Sequence, residues 1–311
     1  MNEKLFIDTD LGGDCDDVGA IALANIFQSK GFIDIVGMTH TTSIASGAGC
    51  IALTNEYYGN RDIVIGATRR ENYCAFDTRQ YATKMLKALG NPNNTRDRYP
   101  DSIQVMRSAL ASAEDGSVTM VFIGPLGNAS DLLDSPADQI SALTGVELVA
   151  AKVKKFVIMG GLFREKNEKI FFGGAEYGAE FNIVCDIKSA QNVVKKCPVD
   201  IVFSDFKVGY QICTGSKLLL QEDMTNPITF AYTVFCNRPR ESWDLLAVWY
   251  AALGCDDFFR LSNPGCVEIA DDGETTFAEL ENGKHYYLKI NNSIDYMVGK
   301  IDNTLYCSQT T

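Results

Sequence analysis

Short, almost continuously apolar runs recur along the chain, separated by longer stretches whose apolar residues fall near a 3.6-residue period. The runs are Leu5-Phe6-Ile7, Asp34 to Met38, Ile63-Val64-Ile65, Val118 to Ile123, Phe156 to Met159 and Val199 to Phe203. Apolar positions that do not alternate with polar ones suit strands covered on both faces. Asp16–Gln28, Ala45–Tyr58, Ser102–Ala113 and Ile187–Lys196 carry the helical period. Strand–helix alternation of this kind predicts an α/β fold, an open and mostly parallel sheet with helices on both faces. After Cys255 the helical period weakens and Tyr286–Ile290 reads as a strand, which predicts a β-rich C-terminal addition. Asn91–Asp101 is polar and turn-rich but short, so it reads as a surface loop. With no linker and no repeat, residues 1–311 are expected to form a single domain.

Composition narrows the function. Lys plus Arg is 28 and Asp plus Glu is 40, a net charge of −12, which excludes a protein that tracks nucleic-acid phosphates. No apolar run approaches the roughly 18 residues of a membrane span. The two histidines, His40 and His285, exclude a His-rich zinc centre. The ten cysteines are scattered and form no CxxC pair, which leaves zinc ribbons and redox dithiols without support. They are expected to be reduced and mostly buried. The opening MNEKLFIDTD shows no basic stretch followed by a long apolar core, so the expected location is the cytoplasm.

The chemistry concentrates in one loop. Asp8, Asp10, Asp14, Asp16 and Asp17 fall within ten residues, directly after a buried strand and at the start of a helix. That is the carboxyl edge of a parallel sheet, where open α/β folds place their ligands. Five like charges so close repel unless a cation lies among them, and a hard divalent ion with oxygen ligands, calcium or magnesium, fits. Gly12 and Gly13 allow the tight backbone that aims several carboxylates at one point.

This loop resembles the DxDxGxDD signature of the nucleoside hydrolase family, the inosine–uridine-preferring N-ribohydrolases, stretched here by two residues and with Leu11 in place of the usual Pro. Four later segments agree in order: Gly124-Pro125-Leu126-Gly127-Asn128-Ala129, Val157-Ile158-Met159-Gly160-Gly161, Ala179-Glu180-Phe181-Asn182 with Asp186, and Ser242-Trp243-Asp244. The resemblance implies calcium-dependent hydrolysis of a ribonucleoside to ribose and a free base. It implies a calcium ion held by Asp10, Asp17, the main-chain carbonyl of Ile123 and Asp244, with Asp10 also the general base. By the same resemblance Asp16, or Asp14 if the insertion is placed differently, binds a ribose hydroxyl. Glu180, Phe181 and Asn182 line the sugar site, and Met159 packs on the sugar. A homodimer or homotetramer is also implied.

One departure bears on mechanism. Where well-known members carry a His before the late Asp, this chain has Trp243, which could stack on a purine. His40, at the end of the second strand, and Tyr177, before Ala179, are the alternatives for protonating the leaving base. Cys15 lies among carboxylates that raise its pKa, which argues against a thiolate nucleophile. The base-contacting loops are expected within Asn72–Arg79 and Gln221–Asn226. Two other readings compete: a magnesium-dependent phosphatase with Asp8 as nucleophile, and a ribose- or nucleoside-binding protein that keeps the metal pocket without catalysis.

Overall fold

A computed structural model of the protein describes residues 2–307. Ten strands join one sheet: β1 (Glu3–Thr9), β2 (Ile33–His40), β3 (Ile65–Ala67), β4 (Val118–Ile123), β5 (Val153–Met159), β6 (Asp200–Ser204), β7 (Phe259–Leu261), β8 (Gly265–Ile269), β9 (Thr275–Glu279) and β10 (His285–Ile290). Their order is β9-β8-β10-β6-β5-β4-β1-β2-β3, with β7 pairing on β10. From β10 to β3 every neighbouring pair is parallel, whereas β7, β8 and β9 are joined by antiparallel pairs at one edge. The expected parallel α/β sheet with a β-rich C-terminal edge is therefore present.

Residues Leu5 and Ile7 point to one apolar layer and Phe6 to the other, as alternation along a strand covered on both faces requires. The helix Asp16–Ser29 is buried from Asp16 to Phe27 because it packs on β2, beside the helix Trp243–Leu253 that lies on β4 and β5, and is covered by the helices Gly47–Tyr57, Pro227–Phe235 and Ile294–Cys307. A helix buried all round cannot show a strong amphipathic stripe.

Three expectations need correction. The third strand begins at Ile65 and not Ile63, since Val64 is 57% exposed and pairing starts after it. The last described element is a helix, Ile294–Cys307, whose Met297, Ile301 and Leu305 are fully buried at four-residue spacing. Of the cysteines, Cys15 and Cys50 are buried, the other described ones are half-buried, and all are free thiols. The Cys307 side chain lies outside the described residues. Among the described residues no helix is long and apolar enough to cross a membrane.

Candidate active site

The acidic loop leaves β1 at Asp8-Thr9-Asp10 and is braced from two sides. The buried Tyr81 hydroxyl accepts the Gly12 N–H at 2.8 Å and donates to the Asp14 carbonyl. The His40 ring lies under the loop, its Nε2 3.0 Å from the Leu11 carbonyl oxygen and its Nδ1 3.0 Å from that of Thr42. Gly12 takes φ +128, a conformation that favours glycine. Gly124 is required for a different reason: a Cβ there would sit 2.8 Å from the Asp10 Cβ. The GPL segment after β4 thus leaves room for the aspartate after β1.

These elements surround a cavity of about 310 Å³ at the carboxyl edge of the parallel strands. Its acidic end is formed by Asp10, Asp16, Asp17 and Asp244, all buried. Oxygen atoms of Asp16, Asp17 and Asp244 lie within 4.8 Å of one another, a grouping able to hold a metal ion. Thr9 Oγ1 donates to Asp17, and the Asp244 N–H donates to Asp16 Oδ2 at 3.1 Å. Among the described residues none of the four carboxylates has an ion-pair partner. Burial, then mutual repulsion, pushes the carboxyls of Asp16, Asp17 and Asp244 well above the usual range. Burial raises Asp10 to about 7, with the charges of Asp14 and Glu180 adding to the rise. After burial, the influence that most raises Asp17 is the charge of Asp10. The oxygen-only donor set and the unbalanced negative charge fit a hard divalent cation.

Another part of the lining is aromatic. Trp243 donates its indole N–H to the Phe206 carbonyl at 2.9 Å, and its ring lies 5.3 Å from that of Phe206. Tyr177 stacks on Phe206 at 4.4 Å, and Phe172 meets Trp243 edge-on at 5.6 Å. Gly209 makes this packing possible, since a Cβ there would come within 2.5 Å of the Trp243 Cα. Glu180 caps the short helix Phe181–Cys185 by accepting the N–H groups of Asn182 and Ile183, and it also accepts the Gly161 N–H at 3.2 Å. Asn182 donates to the carbonyl and the sulfur of Met159, 3.2 Å each.

The structure brings Asp10, Asp14, Asp16, Asp17, Ile123, Met159, Tyr177, Glu180, Phe181, Asn182, Trp243 and Asp244 to one cavity. The close carboxylate trio contains Asp16, where the family resemblance implied Asp10. His40 is a correction: it is fully buried, lies outside the cavity lining, and its ring nitrogens face the carbonyls that hold the loop. Burial also drives its pKa down to about 4, which disfavours the charged form that a leaving-group acid would need. Asp8 is likewise buried outside the lining, its Oδ1 accepting from Thr39 and Asn128, which speaks against the competing phosphatase reading. Cys15 is pushed well up by burial, in line with an inert thiol. Of the two expected base loops, the first contributes Thr78 to the lining and the second contributes nothing.

Sequence reasoning missed Phe172, Phe206, Phe235 and Arg240. Phe206 was within reach, because it follows the carboxyl end of β6 on the ligand-binding edge. Phe172 and Phe235 look like ordinary core residues in sequence.

The buried Asp205 beside this wall yields a pH prediction. It accepts the Phe163 N–H at 3.1 Å, and burial raises its carboxyl to about 7. An acid with a raised folded-state pKa favours the fold in its protonated form, so its contribution is present at low pH and lost as pH rises through about 7. Asp205→Asn removes that loss. In chelator-treated protein the variant should gain on the wild type by a few degrees in Tm between about pH 5 and 8, read by thermal melts across the series. A pH-independent difference would contradict the assignment.

A family model described as inosine-uridine preferring nucleoside hydrolase matches residues 5–295. Among solved structures, the inosine-uridine preferring nucleoside hydrolase from Bacillus anthracis superposes with a TM-score of 0.68 at 17% identity, covering 97% of this chain and 99% of that one. The purine-preferring ribonucleoside hydrolase from Gardnerella vaginalis gives 0.72 at 13% identity, over 98% and 99% of the two chains. The type III effector protein XopQ, solved with adenosine diphosphate ribose, gives 0.70 at 14% identity, over 99% and 94%. No curated protein matches the sequence. At these identities the likeness to solved structures is one of fold.

Proposed function

Because the chain belongs to the inosine-uridine preferring nucleoside hydrolase family and is an N-ribosyl hydrolase, we propose that its cavity splits ribonucleosides into ribose and a free base with the help of calcium. One observation carries the reading: a single cavity joins a floor of buried, uncompensated carboxylates to an aromatic wall of a size and chemistry suited to a nucleobase. Asp17 and Asp244 would hold the ion, with Asp10 and the Ile123 carbonyl completing the oxygen set. Asp16, whose Oδ2 already accepts the Asp244 N–H, would take a sugar hydroxyl, as would Asn182 and Glu180. A calcium ion bound there supplies positive charge that orients the sugar hydroxyls and acidifies a water.

The remaining steps belong to the chain itself. Asp10, at the acidic end of the cavity, would take a proton from the attacking water. The surrounding carboxylates stabilise the cationic ribosyl group that forms as the C1′–N bond lengthens. Met159 would pack on the sugar, and Phe181 would close the cavity mouth, where it is 47% exposed. Trp243 would hold the base by stacking, not by donating, because its N–H is already given to Phe206.

Tyr177 keeps a proton to offer. Its hydroxyl accepts the Phe181 N–H at 3.0 Å, and burial raises its pKa, so it stays protonated and free to donate into the cavity. Tyr177→Phe should therefore lower kcat about tenfold, the worth of one hydrogen bond in the transition state. An unchanged kcat would remove Tyr177 from the mechanism.

Release of reducing sugar from inosine, uridine and adenosine tests the function. Turnover of at least one is expected; ribose binding without turnover of any would leave a binding protein. Cytoplasmic location and assembly into a homodimer or homotetramer belong to the same proposal, and sedimentation would test the latter.

A further inference from the structure

Resting on the hydrolase reading above, the geometry points to Arg240 as the group that stabilises the departing base as an anion, in the role that the family resemblance gives to an acid. Arg240 lines the cavity, and its guanidinium lies between two aromatic rings, 5.1 Å from Trp243 and 5.4 Å from Phe235. A guanidinium between rings at the base-binding wall lies within reach of whatever stacks there.

The group is fixed before any substrate arrives. Its Nε donates to both Asp14 oxygens at 2.9 and 3.0 Å, its Nη2 donates to Asp14, and its Nη1 donates to Glu241 at 2.6 Å. Asp14 lies in the acidic loop, which is two residues longer than the pattern it resembles, and that loop supplies the clamp. Arg238 shares Glu241 at 3.1 Å, so two arginines balance two carboxylates and the cluster carries no net charge of its own. The backbone is held as well: Arg240 pairs with Thr214, and the Thr214 and Ser242 hydroxyls lie 2.7 Å apart.

Of the five guanidinium N–H groups, one on Nη1 and one on Nη2 have no hydrogen-bond partner among the described residues. Prearranged donors of this kind need no reorganisation when negative charge appears. Arginine does not give up its proton near neutral pH, so it acts by charge and hydrogen bonding and not as an acid. The step balances without a further reactant. The C1′–N bond breaks with its electron pair going to the base, the water oxygen bonds to C1′, and the water proton passes to Asp10. The base leaves as an anion held by Arg240, then takes a proton from solvent.

Arg240→Gln and Arg240→Lys, assayed on inosine and on p-nitrophenyl riboside, test this. Nitrophenolate is stable as an anion and needs little help in leaving. Arg240→Gln should lower kcat on inosine about 100-fold, with a loss on the nitrophenyl riboside at least about thirtyfold smaller. Arg240→Lys, which keeps the charge without the fork, should fall between Arg240→Gln and wild type on inosine. Equal losses on both substrates in both variants, or no loss on inosine, would overturn the inference. Wild-type protein that cleaves neither substrate would instead sink the hydrolase reading beneath it.

Discussion

Asp10→Asn should lower kcat on any accepted nucleoside by about 10³-fold or more, the range for loss of a general base. The amide is nearly the same size and fits beside Gly124, against which Asp10 packs, but it cannot take the proton of the attacking water. The same substitution should leave the metal-free protein as stable as the wild type or more so. Asp10 is buried with its pKa raised to about 7, and the charges of Asp14 and Glu180 oppose its ionisation. Removing one of several mutually repelling buried carboxylates relieves that opposition. A large loss of turnover with an unchanged or raised Tm, measured on one preparation, is the expected pair of results. A lowered Tm together with lost turnover would mean that Asp10 serves the fold.

The second large effect is on stability. Asp16, Asp17 and Asp244 are buried within 4.8 Å of one another, and no basic side chain among the described residues pairs with them. A cation that binds there stabilises the folded state by about 2.7 kcal/mol at a concentration of 100 Kd. For a chain of this size that corresponds to a rise of about 5 °C in Tm. Calcium added to chelator-treated protein should produce such a rise, and magnesium a smaller one, because magnesium gives up its own waters reluctantly. Asp17→Asn should abolish the response to calcium. Indifference of the wild-type Tm to calcium would contradict the proposed site.

Much of this site could be read from sequence, and the reason is physical. A βα turn with aspartates lies at the carboxyl edge of a parallel sheet, so topology alone places Asp10 and Asp17 there. Gly124 and Met159 follow because Gly124 comes directly after β4 and Met159 ends β5, neighbouring parallel strands that pair with each other and, in the case of β4, with β1. His40 also ends a strand on that edge, yet its side chain passes beneath the acidic loop, with Gly47 leaving room for it. Position along a strand was readable; what the ring would meet on its own side of the sheet was not.

The aromatic wall was hidden for a different reason. Phe172, Phe206 and Phe235 come from three segments remote in sequence, and nothing local separates a phenylalanine facing a cavity from one in the core. Arg240 was hidden because its role depends on Asp14, 226 residues away, being held opposite it. The closing helix Ile294–Cys307 was overlooked although Met297, Ile301 and Leu305 carry its spacing, since the neighbouring strand pattern drew the reading of the whole tail toward β structure.

The most direct measurement is the release of ribose from inosine and uridine by one protein sample, taken as purified, after chelation, and after calcium is restored. Turnover that falls by about 100-fold or more on chelation and returns with calcium is the predicted result. Turnover unaffected by chelation would contradict the metal-assisted account, and no release of ribose in any of the three states would contradict hydrolysis itself.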